Sequence, residues 1–443
     1  MVRLSGDDAL EVASRVFAPA NGRKLAEASS QKVVYGVFRD IDGAFDDGLV
    51  TVFRAPHSYT GEDVAELYCH GGVLGTRRLL AATIAAGAAP AAAGEYTKRA
   101  FVNGKLSLSQ AEAVGALIEA KTDACLDISI RQLGGTLSKK INACYESLLK
   151  LASSVYAYID YPDEDMTDVS QEELKEELKK ILGTLNGLKD SYRYGKAVSE
   201  GVECAIVGCP NVGKSSVLNL LAGEERAIVT PYAGTTRDVV TETVRMGDVL
   251  LKLADTAGIR EGGGEIEKLG INRSVESLEK AELVLAVFDG SAEQSDGDRE
   301  IVRLIEDAGK TVVTIGLVNK NDKGESCVYK LPFRQISISA QTGDGLDELK
   351  KAINDMYAQG AVSADNEGGN TAGEIIVNAR QYGAVCRASG SLHDAIAALD
   401  AGFTQDVAGF DMEDALKALG ELDGRSVSEE IVNDVFSRFC VGK

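Results

Sequence analysis

Five short stretches carry residue types and spacings suited to gripping a nucleoside triphosphate. "GCPNVGKSS" (208–216) has the spacing G-x-x-x-x-G-K-[ST]. Gly208 and Gly213 let the backbone curl, with Asn211 and Val212 inside the curl, until its N–H groups face phosphate oxygens. Lys214 is expected to neutralise the β- and γ-phosphates and Ser215 to ligate Mg²⁺. Ser216 continues into a helix whose N-terminus adds positive potential. "GTTRD" (234–238) offers Thr236 as a second Mg²⁺ ligand. In "DTAG" (Asp255, Thr256, Ala257, Gly258), the acid can hold Mg²⁺ through water and the glycine can sense the γ-phosphate. "NKND" (319–322) supplies Asp322, which can accept hydrogen bonds from guanine N1 and N2, groups that adenine does not offer. Asn319 and Lys320 buttress the base and the phosphate loop. "SAQTG" (339–343) places Ser339 and Ala340 so that the Ala340 N–H could meet the guanine oxygen. The substrate these imply is GTP. One residue breaks the pattern: Ile259 stands where a glutamine often orients the attacking water, and its side chain cannot do so.

Such residues need a scaffold of strand ends. Residues 198–358 alternate strand-like runs ("VECAIV", "LVLAVFD", "TVVTIGLV", "QISISA") with helical patterns. A hairpin-like pair, "VVTETVRMGDVLLKLAD", turns at Gly247-Asp248. The order predicts a mostly parallel sheet with helices on both faces. Residues 1–117 read as α+β, with "KVVYGVFRD" and "LVTVFRA" as strands and "GEDVAELYCHGG" and "SQAEAVGALIEAK" as helices. Residues 118–197 and 374–443 read as helical, the charge-rich run from Ser170 being a solvated helix face, and 359–373 read as a linker. Helical sequence on both sides predicts an α/β G-domain inserted into an all-α domain, with the α+β domain in front.

A formal net charge of -21 argues against a broad basic face for nucleic acid, leaving a local patch or a partner that supplies one. Eight cysteines without a C-x-x-C pair, and only three histidines, argue against a structural zinc site and for a reduced, cytoplasmic setting. The start "MVRLSGDDAL" lacks the apolar region of a signal peptide, and "LLAATIAAGAAPAAAG" is broken by Gly87 and Pro90, so no membrane span is expected.

Outside the nucleotide motifs, "SYTGEDVAELYCHGG" (58–72), "GEYTKRAFVNGKLSLSQAEAV" (94–114), "YIDYPDED" (158–165), "EIEKLGINRS" (265–274) and the ending "FCVGK" (439–443) occur in an order that resembles the MnmE (TrmE) family of tRNA modification GTPases. Two departures stand out. Family chains carry a further segment before "VRLSG", so a misassigned start or a shortened chain is expected, and Ala93 replaces a proline before "GEYT".

The resemblance implies a homodimer that joins an FAD-dependent MnmG-type partner in a heterotetramer. That complex adds a (carboxymethyl)aminomethyl group to C5 of the wobble uridine of certain tRNAs, with tRNA held largely by the partner. The one-carbon unit comes from 5,10-methylenetetrahydrofolate, for which 5-formyltetrahydrofolate is a bound analogue. Folate-binding residues carried over are Arg3, Glu66, Lys105 and Lys443, with Cys440 as a functional thiol. The catalytic acid carried over is Glu267, past the glycines 262–264, which would make the segment mobile. Potassium would be held by Asn211, Thr230, the Tyr232 carbonyl and Thr235, taking the charge-neutralising part of an arginine finger.

Read without the family, Glu66 is a helix-surface charge after a Thr60-x-x-Asp63 capping box and Lys105 a loop charge. On the same terms Glu267 is an exposed helix-start acid and Cys440 a small buried hydrophobe. Two other functions would use the same G-domain: a GTP-dependent ribosome-assembly factor, or a GTP switch on protein partners. No G-x-x-G RNA clamp or second P-loop is evident in favour of the former.

Overall fold

The computed structural model describes residues 1–443 apart from 161–169, 225–241, 254–277, 279–280, 308–311, 325–328, 363–373, 440–441 and 443. The side chains of 158–160, 224 and 359–362 are likewise outside the description. In chain order the strands are β1 (Val2–Ser5), β2 (Phe17–Pro19), β3 (Lys32–Asp40), β4 (Gly43–Phe53), β5 (Val64–Cys69), β6 (Val202–Val207), β7 (Glu242–Met246), β8 (Val249–Leu253), β9 (Leu283–Asp289), β10 (Val313–Asn319) and β11 (Arg334–Ser337). The helices are α1 (Ala9–Val16), α2 (Val73–Ala85), α3 (Glu95–Val102), α4 (Leu108–Glu119), α5 (Asp123–Leu133), α6 (Thr136–Asp160), α7 (Gln171–Ser199), α8 (Lys214–Glu224), α9 (Asp296–Asp307), α10 (Leu346–Val362), α11 (Ala379–Asp400), α12 (Gln405–Asp423) and α13 (Glu429–Ser437). Two compact units result, one from Met1–Gly115, Gln132–Tyr145 and Leu419–Lys443, the other from Ala116–Arg131 and Glu146–Ala418.

The first unit is built on an antiparallel sheet of order β1-β5-β4-β3-β2. Alternation along β3, β4 and β5 sends Phe38, Val50, Val52, Ala65 and Leu67 into a core with Phe17 and Leu79. Burying each such large apolar side chain contributes about 1.5–3 kcal/mol. The alternate residues Val33, Tyr35, Val37, Leu49 and Tyr68 stay exposed on the other face.

Here one expectation fails. "GEDVAELYCHGG" is not helical: Val64–Cys69 is the strand β5, paired with β1 on one side and β4 on the other. Helix propensities among its Ala, Glu and Leu differ by only tenths of a kcal/mol per residue, whereas buried Ala65 and Leu67 alternate with Glu66 and Tyr68 as a strand requires. The proposed Thr60–Asp63 capping box fails with it. Thr60 Oγ1 lies 2.7 Å from Ser5 Oγ, and Asp63 accepts the Ala55 N–H at 2.9 Å.

In the second unit, β6, β8, β9, β10 and β11 run parallel and β7 antiparallel, in the order β11-β10-β9-β6-β8-β7. The hairpin turns at Gly247 with φ 68, a conformation that favours glycine. The charge-rich run from Ser170 is helix α7, opened by a capping box between Ser170 and Glu173. Its apolar stripe, Leu174, Leu178, Ile181, Leu185 and Leu188, is buried. α7 leads directly into β6, and the chain leaving the sheet returns to the same helix. Ile376 N–H donates to Ser191 Oγ at 3.0 Å and Ser199 Oγ donates to the Val377 carbonyl at 3.0 Å. Gly195 permits that crossing, since a Cβ there would sit 1.9 Å from the Ile376 oxygen. Entry and exit on one helix is how the α/β sheet is inserted into helical sequence. α10 continues to Val362, into the stretch read as linker.

Candidate functional site

Among the described residues, strand ends of the α/β sheet carry three of the five nucleotide motifs. β6 is a buried strand followed by Gly208, whose φ of 155 is accompanied by a close approach: a Cβ would lie 2.3 Å from the Val287 oxygen. The loop then curls through Asn211, which is exposed with a left-handed φ of 65, to Gly213 at φ 102. Ser215 and Ser216 follow in the exposed first turn of α8. Lys214 Nζ donates to the Gly208 and Cys209 carbonyls, both at 2.8 Å. Burial depresses its pKa from the ordinary lysine value, because the charged form loses water there.

The guanine loop is locked to this curl. Asn319, 2% exposed at the end of β10, donates from Nδ2 to the Val212 carbonyl at 2.9 Å and accepts the Ala340 N–H on Oδ1 at 2.9 Å. Gly213 must lack a side chain because a Cβ there would lie 2.2 Å from Asn319 Nδ2. Lys320 Nζ donates to the Asn211 carbonyl at 2.9 Å. Ser339, fully buried, donates to Asp322 Oδ1 at 2.7 Å and orients that carboxylate. The Ala340 N–H differs from expectation: it is given to Asn319, so its first task is to fix that amide. Asn211, Val212, Gly213, Lys214, Asn319, Lys320, Asp322, Ser339 and Ala340 are thus one connected constellation. Thr230, Tyr232, Thr235, Thr236, Asp255, Thr256, Ala257, Gly258, Ile259 and Glu267 lie outside the described residues.

The first unit brings Arg3 and Glu66 together as register partners on β1 and β5. Arg3 Nε donates to Glu66 Oε1 at 2.9 Å, and Nη2 lies 2.7 Å from the same oxygen. The Tyr68 hydroxyl donates to Glu66 Oε2, and that acceptor raises the Tyr68 pKa by stabilising its protonated form. The guanidinium lies 5.5 Å from the Tyr96 ring centre and 5.9 Å from that of Tyr59. These tyrosines escaped the sequence reading, and the only signal for Tyr68 was its alternation with Glu66 once β5 is known to be a strand. Lys105 makes a contact of its own. Its Nζ donates to the Pro56 carbonyl at 3.0 Å, beside a cavity of about 590 Å³ lined by Asp7, Gly61, Glu62, Asp63 and Asn103. Cys440 and Lys443 lie outside the described residues, but their neighbour Phe439 is described. Gly94 of "GEYT", at φ 64, faces Phe439 and the Phe436 oxygen so closely that a Cβ would lie 2.8 Å from that oxygen. Two motifs from opposite ends of the chain therefore meet.

The family model for the GTP-binding protein TrmE N-terminus matches residues 1–105, and that for the MnmE helical domain matches 108–440. The chain belongs to the MnmE family. The MnmE helical-domain match runs from before the α/β sheet to after it. A tRNA modification GTPase MnmE of Symbiobacterium thermophilum is 40% identical, over 100% of this chain and 96% of that protein. The tRNA modification GTPase MnmE of Clostridioides difficile is 37% identical over the same shares. Among solved structures, the G domain of the T. maritima FeoB iron transporter is 27% identical, covering 36% of this chain and 99% of that one. Its TM-score is 0.27, too low to add to the fold described above. Among the described residues, no helix is long and apolar enough to cross a membrane.

Proposed function

We propose that this protein is a potassium-activated, Mg²⁺-dependent GTP hydrolase of the cytoplasm. With an FAD-dependent MnmG-type partner it adds a (carboxymethyl)aminomethyl group to C5 of the wobble uridine of certain tRNAs. The observation that carries the nucleotide half is the Asn319 bracket between the phosphate loop and the Ala340 turn. Asp322, oriented by Ser339, accepts the guanine N1–H and N2–H. Lys214 exchanges the two carbonyls it holds for phosphate oxygens, and burial strengthens that attraction. Ser215 and Thr236 offer the hard oxygens Mg²⁺ takes, and the exposed Asn211 side chain offers one to potassium, with Thr230, Tyr232 and Thr235. When bound, these cations draw off negative charge that builds on the phosphates. Glu267 orients the water that attacks the γ-phosphorus as the bond to the β-phosphate oxygen breaks.

The folate half is supported by Arg3–Glu66. A carboxylate has about four lone-pair sites, and Arg3 Nε, Arg3 Nη2 and the Tyr68 hydroxyl take about three of them, so Glu66 accepts both a pterin amino group and N3–H when one of those donors, such as the Tyr68 hydroxyl, gives way. The exposed Tyr59 ring supplies stacking surface, and Lys105 or Lys443 can answer the glutamate carboxylates of methylenetetrahydrofolate or its 5-formyl analogue. Cys440 belongs to the same chemistry. The exposed apolar sheet face, Val33, Tyr35, Val37, Leu49 and Tyr68, supports a homodimer, and Glu66 lies on that face.

Hydrolysis in potassium should run well above that in sodium, and Glu267→Ala should keep GTP binding while slowing turnover steeply. Equal rates in the two salts would remove the cation assignment. Cells lacking the protein should lose the wobble-uridine mass increment; an unchanged increment favours the assembly-factor or switch alternatives.

A further inference from the structure

Asp289 closes β9, the strand between β6 and β10, so it stands between the phosphate loop after β6 and the guanine loop after β10. Its carboxylate is engaged on both oxygens. Oδ1 accepts the Ser291 N–H at 3.0 Å and the Ser291 hydroxyl at 2.6 Å, while Oδ2 accepts from Lys320 Nζ. The same ammonium donates to the Asn211 carbonyl at 2.9 Å. Both residues so joined have left-handed backbones without being glycine, Asn211 at φ 65 and Lys320 at φ 71. The turn after Asp289 is tied in as well, with Gly290 N–H donating to the Asn319 carbonyl at 2.8 Å. Burial alone would lift the Asp289 carboxyl, but the hydrogen bonds from Lys320 and Ser291 outweigh it and hold the group below the ordinary aspartate value.

A lysine carries its charge on a flexible four-carbon stem, and ordering such a chain is costly in entropy. The acid at 289 selects the rotamer that sets the ammonium on Asn211. Two opposite consequences for nucleotide binding compete. As a bare negative charge near the phosphates, Asp289 would weaken binding, and its removal would tighten it. As the group that fixes Lys320, its removal would weaken binding. The side chains of Lys320 and Asp289 are only 24% and 21% exposed, so water screens neither effect strongly; the ion pair with Lys320 offsets the Asp289 charge, which leaves the hydrogen-bond geometry of the second effect as the larger.

We propose that Asp289 is a positioning residue for the guanine nucleotide: by holding Lys320 it locks the base-recognising loop to Asn211 of the phosphate loop before GDP or GTP arrives. The inference rests on the guanine-nucleotide reading of the site.

The test is a double-mutant cycle in the full chain, read as the Kd for mant-GDP and the KM and kcat for GTP. Asp289→Ala should raise the mant-GDP Kd about tenfold, the lower end for a charge-assisted hydrogen bond. The loss should fall on KM rather than kcat. Because Asp289 acts through Lys320, the Asp289→Ala/Lys320→Ala double variant should bind within about twofold of Lys320→Ala alone. Tighter or unchanged binding in Asp289→Ala, or losses that multiply in the double variant, overturns the proposal. Should Asp289→Ala fail to fold, the cycle is run with Asp289→Asn, which removes the charge in the same volume. Wild-type protein that fails to bind mant-GDP removes the nucleotide reading itself, a result separate from any behaviour of the variants.

Discussion

Asn319→Ala puts the nucleotide site to its most direct test. The amide is 2% exposed and makes two hydrogen bonds of 2.9 Å, one to the Val212 carbonyl and one from the Ala340 N–H. Truncation removes both and leaves a buried acceptor and a half-buried donor without partners. Each such orphan costs about 1–3 kcal/mol, and the lower half applies because surface loops can relax and admit water. The sum is about 2–4 kcal/mol, or roughly 30- to 900-fold in affinity if it falls on the loop geometry that binds nucleotide. The assay is mant-GDP fluorescence titration, with Asn319→Asp as the partial variant, since it keeps an acceptor for Ala340 but cannot donate to Val212. The Gly213→Ala substitution supplies a cross-check. Its Cβ would lie 2.2 Å from Asn319 Nδ2, so it should cost less in the Asn319→Ala background. Binding by Asn319→Ala within threefold of wild type, with unchanged thermal unfolding, would refute the bracket.

Two further outcomes follow from other parts of the molecule. Gly195→Ala should destabilise the helical region by about 3 kcal/mol or more, because its Cβ meets the Ile376 backbone oxygen at 1.9 Å; an unaltered melting curve would contradict the crossing. His70, hydrogen-bonded to Asp46 at 2.9 Å, has its pKa raised above 6.5 by that bond and the neighbouring charge. The pair's stabilisation is therefore full below the unfolded pKa and fades as pH rises through the folded one; an NMR titration of His70 should show the raised midpoint, and Asp46→Asn should lower it.

The nucleotide motifs were legible because each is local: a glycine curl, a strand-end acid and an amide each act within a few residues. Glu66 was legible as a candidate but not in its setting. Its segment reads as helix on propensity, and only pairing with β1 and β4 makes it a strand and puts Glu66 opposite Arg3. Ala340 shows the same limit at smaller scale, since its N–H went to an amide in another motif.

By itself the sequence determined the substrate class, the order of domains and the family, because spacing within a loop dictates which atoms can converge on phosphate or guanine. Tertiary structure alone decided which of those groups hold one another. Asp289 on Lys320, Asn319 on Val212 and Gly195 under Ile376 join residues distant in the chain. Such contacts arise from the parallel order of β6, β9 and β10 and from α7 serving as both entry and exit. Hydrogen bonds and close backbone approaches are short-ranged, so their partners are chosen by sheet topology and packing, which no local spacing encodes.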